Sequence, residues 1–301
     1  MHRVDDRRAL AFGLLAVLLW STVATAFKLA LRQLDVLQLV AYASVFSAAA
    51  LCLVVWWQGK FPLLRQYLRD TPWFFAVMGL INPVIYYLIL LRAYELLPAQ
   101  QAQAINYTWA ITLAVLGVPL LGHRLSLRDI LAVVMGYSGV LIIATRGRVL
   151  DLDFTSPEGV VYALVSTLVW ALYWLVSTRD GRDPVVCLCL NFLLALPLAF
   201  GLCAVFSDLC LPGWKGLGGA AYIGLFEMGV TFALWSTALS LSSGVSRIGN
   251  LIFLSPLVSL LFIATVLGEA IHPATLVGLG LIIPGVLLQQ QGRRAPEAVA
   301  E

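Results

Sequence analysis

The sequence predicts an all-α integral membrane protein of ten transmembrane helices, organised as two inverted five-helix repeats. Composition, the spacing of long apolar runs and a faint internal repeat carry that prediction. Of 301 residues, 61% are hydrophobic and 12% charged, and the mean hydropathy is +0.92, a profile foreign to water-soluble domains of this length. An unpaired backbone N–H or C=O costs several kcal/mol in hydrocarbon, so long apolar runs must close their hydrogen bonds internally as helices. No alternating pattern argues for a barrel.

Apolar runs long enough to span lie at 9–31, 36–57, 72–97, 99–121 and 126–145, then at 157–178, 184–206, 216–241, 243–267 and 273–291. The first follows MHRVDDRR, carries Lys28 and is too long for a signal-peptide core, so it is expected to be a retained helix. Asn82-Pro83 in the third and Pro256 in the ninth place a proline inside the span, where it removes a backbone hydrogen bond. Pro98 separates the third run from the fourth, and Ser242-Ser243-Gly244 the eighth from the ninth.

Thirteen of the nineteen Lys and Arg residues, among them Lys60, Arg65, Arg124, Arg182, Arg247 and Arg293, fall on the side of the N-terminus. The other side holds Lys28, Arg32, Arg92, Arg146, Arg148 and Lys215. The imbalance predicts that both termini are cytoplasmic. The segment LGHRLSLRDILAVVMGYSGVLI matches LGEAIHPATLVGLGLIIPGVLL at an offset of 146, pairing Gly139 with Gly285. At 145, Gly79 meets Gly224 and Ala93 meets Ala238. The halves divide as 1–150 and 151–301 with five helices each, and an odd number of crossings per repeat inverts the second, a plan common in secondary transporters.

Catalytic chemistry has little to stand on. His2, His123 and His272 lie in termini or loops, no P-loop is present, and the intramembrane carboxylates are isolated. The five cysteines show no CxxC pairing and no metal spacing, and read as small apolar fillers. Neither a cofactor nor a metal is expected, the protein is not expected to be an enzyme, and a net charge of +3 spread over short loops makes no nucleic-acid surface.

Tryptophan usually anchors helix ends at the membrane interface, and Trp56, Trp57, Trp73, Trp174, Trp214 and Trp235 are expected in that belt. Trp20, Trp109 and Trp170 instead fall about 15 to 20 Å into their helices, near the midplane. They either fill the bundle or face a wet cavity. Ser21, Thr22, Asn106 and Tyr107 beside them favour the cavity, since amides and hydroxyls at that depth seek protein or water. Asn82, Tyr86, Ser255 and Pro256 join this substrate-binding set through the two proline breaks. Glu227 lies about 16 Å into the eighth helix and reads as a coupling or structural acid. With no visible relay of acids or histidines, it is not expected to be an obligatory proton carrier. Lys28, Glu95 and Arg247 are expected to snorkel to the interface.

The first-helix stretch LLWSTVATAFKLAL and the block LGEAIHPATLVGLGLIIPGVLL, with its weaker copy after Leu121, resemble the EamA type of the drug/metabolite transporter superfamily over nearly the whole chain. LLWST, INYTW and LVWALYW are similar to segments of bacterial aromatic amino acid exporters. The resemblance implies a central cavity between the repeats, with cavity roles for Trp20, Ser21, Tyr107, Trp109 and Trp170. The proline often found in the fourth helix of the family is Ala110 here, and no motif of the family places an acid at Glu227. The expectation is a secondary transporter of the bacterial cytoplasmic membrane that exports aromatic and other neutral amino acids by alternating access, its partners being a small-molecule substrate and the lipid bilayer. A broader drug, metabolite or sugar-nucleotide carrier is the alternative, although no basic cluster at the midplane would hold phosphates. A passive channel and a lipid-modifying membrane enzyme are the rivals from other classes.

Overall fold

The computed structural model describes residues 5–121, 126–243 and 248–292, and every regular element within them is helical. In chain order these are α1 (Asp6–Ala30), α2 (Val36–Trp57), α3 (Phe61–Asp70), α4 (Pro72–Leu96), α5 (Ala99–Asn106), α6 (Trp109–Leu121), α7 (Leu127–Ala144), α8 (Pro157–Arg179), α9 (Pro184–Phe206), α10 (Trp214–Leu241), α11 (Asn250–Val266) and α12 (Pro273–Gly292). Seven of them, α1, α2, α4 and α7 to α10, are long and apolar enough to cross a membrane. The apolar helices of α11 and α12 are shorter, and α5 and α6 together occupy the fourth apolar run. Arg3, Arg124, Arg247, Arg293, Arg294, His2 and His123 lie outside the described residues.

Helix starts follow from local chemistry. Asp35 with Gln38 and Ser126 with Asp129 form reciprocal capping boxes, while Asp183 accepts the amides of Val185 and Val186 ahead of α9. Such caps contribute about 1 kcal/mol each by satisfying donors that the helix leaves open.

Five helical stretches are interrupted among the described residues; the turn at Thr22 in α1 stands alone, and the other four interruptions pair up between the halves. Asn82-Pro83 opens α4 into a wider π-helical turn over Leu80–Ile85, with Asn82 extended at φ −141° and ψ 114°. At the repeat offset of 145, Asn82 meets Glu227, where α10 breaks between Phe226 and Val230. The fourth run breaks at Tyr107 and Thr108, between α5 and α6. Its counterpart, α11, changes from a 3₁₀ turn over Asn250–Leu254 to α-helix at Ser255. Pro256 therefore does not sever a continuous helix as expected. It sits in the first turn of the α-helical part, where its missing N–H would have had no partner anyway.

The packing between helices is reciprocal in the same sense. The start of α10 lies on α2 as the start of α4 lies on α9, and the end of α10 lies on α1 as the end of α4 lies on α8. α2 against α9 and α7 against α12 close the arrangement. Glycine makes the tight crossings. A Cβ at Gly79 would come within 2.4 Å of the Asn191 carbonyl oxygen, and one at Gly224 within 2.2 Å of that of Ala43. At the α7–α12 crossing, a Cβ on Gly139 would stand 2.6 Å from the Gly278 carbonyl oxygen. Small residues at such crossings let backbones approach where no hydrophobic effect drives association.

α3 is an element the apolar runs did not announce. It buries Leu64 and turns Arg65, Gln66 and Arg69 outward, as a helix lying along an interface does. Its Tyr67 hydroxyl accepts from the Asp183 amide, and neighbouring Lys60 pairs with Asp183 at 2.7 Å. Arg182 spans the same corner, bonded to Asp180 at 2.7 Å and set over the rings of Phe74 and Phe75. The Asp180 carboxylate holds the Arg182 guanidinium above its ordinary range.

Candidate substrate cavity

The interruptions surround a cavity of about 460 Å³ lined by both halves. From the first half come Trp20 and Phe27 on α1, Tyr86 and Tyr94 on α4, Gln103 and Asn106 on α5, then Tyr107 and Trp109. α8 supplies Trp170 and Trp174, α10 supplies Glu227, Phe232 and Trp235, and α11 supplies Ile252 and Phe253.

The wall is mostly aromatic, and its rings support one another. Trp170 stands 4.7 Å from Tyr86, 5.6 Å from Tyr173, 6.0 Å from Phe232 and 6.2 Å from Trp174, measured between ring centroids. Trp20 meets Phe232 edge-on at 5.4 Å and Trp235 at the same distance. Trp109 is half-buried and touches Trp174 at 6.1 Å. These offset and edge-on contacts are the favourable aromatic geometries, and the network stiffens the wall.

Polar groups are few. Asn106 donates to Ser166 Oγ at 3.0 Å. Gln103 is 4% exposed, lines the cavity, and its amide takes no hydrogen bond from the described residues. Glu227 Oε1 accepts from the Tyr87 hydroxyl at 3.2 Å, and no Lys, Arg or His among the described residues pairs with it.

Seven of the expected residues thus meet at the cavity: Trp20, Tyr86, Asn106, Tyr107, Trp109, Trp170 and Glu227. Five stand off its wall. Ser21 and Thr22 turn their hydroxyls back to the carbonyls of Val17 and Leu19, and Thr22 also meets Tyr222. Asn82, Ser255 and Pro256 are buried behind the wall at the helix interruptions. Conversely, Trp174 and Trp235, expected in the interfacial belt, line the cavity, whereas Trp56, Trp57, Trp73 and Trp214 are exposed.

One end of the cavity is closed. Phe27, Tyr94 and Gln103 are buried there, and Lys28 Nζ donates to the Tyr94 carbonyl at 2.6 Å rather than reaching outward. Just beyond, Glu269 accepts the Ala99 and Gln100 amides at 2.8 and 3.3 Å, capping α5. Gln100 ties the α11–α12 connection down through Ala270, His272 and Thr275. Towards the other end, a second cavity of about 450 Å³ shares Trp174, Phe232, Trp235 and Leu239 with the first and runs to Asp180 and Arg182.

Comparison with known proteins gives concordant results. The sequence profile of the EamA-like transporter family matches residues 7–145 and again 157–289. The aromatic amino acid exporter YddG of Ancylobacter novellus is 25% identical over 283 residues, covering 92% of this chain and 95% of that protein. A transporter of Bacillus subtilis, YvbV, is 24% identical over 243 residues, covering 77% of this chain and 76% of its own length. One crystal structure superposes with a TM-score of 0.68 at 23% identity, over 96% of this chain and 98% of that one, and shows the same fold.

Proposed function

We propose, from the premise that this chain belongs to the EamA-like transporter family, that it exports aromatic and other neutral amino acids across the bacterial cytoplasmic membrane by alternating access. The observation that carries this reading is the aromatic cavity enclosed by two sets of interrupted helices at equivalent places in the two halves. Indole and phenol faces stack on an aromatic side chain and attract a neighbouring cation, and the likeness to an aromatic amino acid exporter is in keeping with that chemistry.

In this reading α5 and α6 form one crossing, α3 lies along the inner surface, and ten crossings form two inverted repeats, 1–150 and 151–301. The reciprocal packing of α1, α4, α8 and α10 supports the inversion. With the N-terminus inside, the Arg182 end is cytoplasmic and the Glu269 end faces out, so the closed end is the outer one. Rocking of one half against the other would break the Glu269 and Gln100 contacts and close the route past Trp174 and Trp235. A C-terminal reporter should therefore be cytoplasmic, and a cysteine at Lys60 should react only with reagent inside the cell. An external C-terminus would defeat the five-plus-five inversion.

The direct test is uptake of radiolabelled amino acids into proteoliposomes containing the purified protein. Expected is saturable phenylalanine, tyrosine and tryptophan flux that unlabelled substrate on the far side accelerates. Flux without saturation or counter-stimulation would indicate a channel, and movement of sugar nucleotides alone would replace the substrate class.

A further inference from the structure

Glu227 is the one charged side chain among the described residues that line the aromatic cavity. No Lys or Arg faces it there, and one carboxylate oxygen accepts from Tyr87 while the other takes no hydrogen bond from the described residues. The half-buried carboxylate interrupts α10 at the position where the first half carries Asn82, and Asn82 is buried off the cavity wall. The cavity that it lines is walled by linked aromatic rings. Tyr87 packs on Tyr86 at 4.9 Å, Tyr86 on Trp170 at 4.7 Å, and Phe232, farther along α10, touches both Trp20 and Trp170.

We propose that Glu227 anchors the ammonium group of the cargo, so that the cavity selects protonated aromatic amines and treats an α-carboxylate as dispensable. This deepens the amino acid export reading and rests on it. An unpaired anion in a low-dielectric wall is stabilised by a cation that brings its own donors. Surrounding ring faces add cation–π attraction for the same group and none for a carboxylate. The carboxylate of an amino acid finds only uncharged donors. Gln103, buried, lining the same cavity and without a side-chain hydrogen bond to the described residues, is one, and the Asn106 amide is another. The cavity therefore discriminates on charge more strongly at the amine than at the acid.

Three ligands with one ring system separate the possibilities: phenethylamine, 2-phenylethanol and 3-phenylpropionate, compared with phenylalanine by quenching of the cavity tryptophans in the purified full-length protein. Expected for the wild type is binding of phenethylamine at least as tight as that of phenylalanine, with 3-phenylpropionate weaker by about tenfold or more, the loss of one charge-assisted hydrogen bond. Glu227→Gln should weaken phenethylamine by a similar factor and leave 2-phenylethanol within about twofold. Glu227→Asp should retain the preference for the amine. Equal binding of amine and acid by the wild type would overturn the proposal, as would a Glu227→Gln variant that weakens amine and alcohol alike. Should Glu227→Gln fail to fold, the wild-type ligand series together with Glu227→Asp decides. Transport of phenylalanine without any binding or competition by phenethylamine would defeat this inference alone. Absence of both transport and binding would defeat the amino acid reading with it.

Discussion

Replacing Gly224 with alanine should cost the protein most of its folded yield in detergent. The added methyl would sit 2.2 Å from the Ala43 carbonyl oxygen and 2.8 Å from the Phe46 Cβ, so α10 and α2 must move apart. Overpacking of this kind costs about 1–3 kcal/mol, and a backbone oxygen offers no flexible end to swing aside. Gly79→Ala should behave alike, since its methyl would lie 2.4 Å from the Asn191 carbonyl oxygen at the equivalent crossing of α4 and α9. Gly218 supplies the control on the same helix as Gly224, because a Cβ there meets nothing within 4 Å. Gly218→Ala should be neutral or gain up to about 1 kcal/mol from helix propensity. Thermal unfolding followed by size-exclusion chromatography distinguishes these variants. Equal stability of Gly224→Ala and Gly218→Ala would mean that the close crossing does not hold the bundle together.

The second large effect concerns function without folding. Trp109 is half-buried and touches one other indole, so Trp109→Ala removes a face of the cavity at little cost to the core. Loss of one aromatic stack is worth about 0.5–1.5 kcal/mol, so substrate affinity should weaken several-fold at near-normal abundance. Trp170 is different because its ring is packed among four others. Trp170→Ala should reduce abundance as well as transport, because truncating a buried aromatic costs about 3–5 kcal/mol. Trp170→Phe should recover part of both. Trp56→Ala, at a site 67% exposed, should transport almost normally. Transport per folded molecule is the deciding measurement, and equal losses at Trp56 and Trp109 would remove the case for a central aromatic site.

The sequence made much of this visible for identifiable reasons. Long apolar runs can satisfy their backbone only as helices, and the breakers Asn82-Pro83 and Pro98 stand where α4 is interrupted and where it gives way to α5. Helical rise places Trp20, Trp109 and Trp170 at one depth, and the structure brings all three to one cavity. Depth carries no azimuth, however. Trp174 and Trp235 look interfacial by distance along their helices yet point inward, because the cavity continues towards Asp180 and Arg182. Ser21 and Thr22 depart in the opposite direction: their short side chains reach their own helix carbonyls, which competes with facing a cavity. The interruption at Glu227 carries no proline, and its marks in the sequence are Gly229, whose backbone leaves the helix, and the alignment with Asn82. Gln103 lies in ordinary sequence surroundings, and although Glu269 falls within the block LGEAIHPATLVGLGLIIPGVLL, the roles of both emerge only from the three-dimensional neighbours.

The one-sided closure of the cavity also shapes the electrical landscape. If water fills the route from Arg182 to Glu227, the membrane voltage falls mainly across the closed end around Phe27, Tyr94 and Gln103, not evenly along the bundle. In the orientation proposed above, a solute beside Glu227 then sits near the cytoplasmic potential, and its passage outward crosses nearly the whole field in one step. Each net positive charge moved out against an inside-negative potential costs about 2.3 kcal/mol per 100 mV. A cationic amine would therefore be held back by the voltage, while a zwitterion of net charge zero would pass without that cost. The two cargo types, though bound by the same carboxylate, would differ in how far the resting potential lets them be expelled.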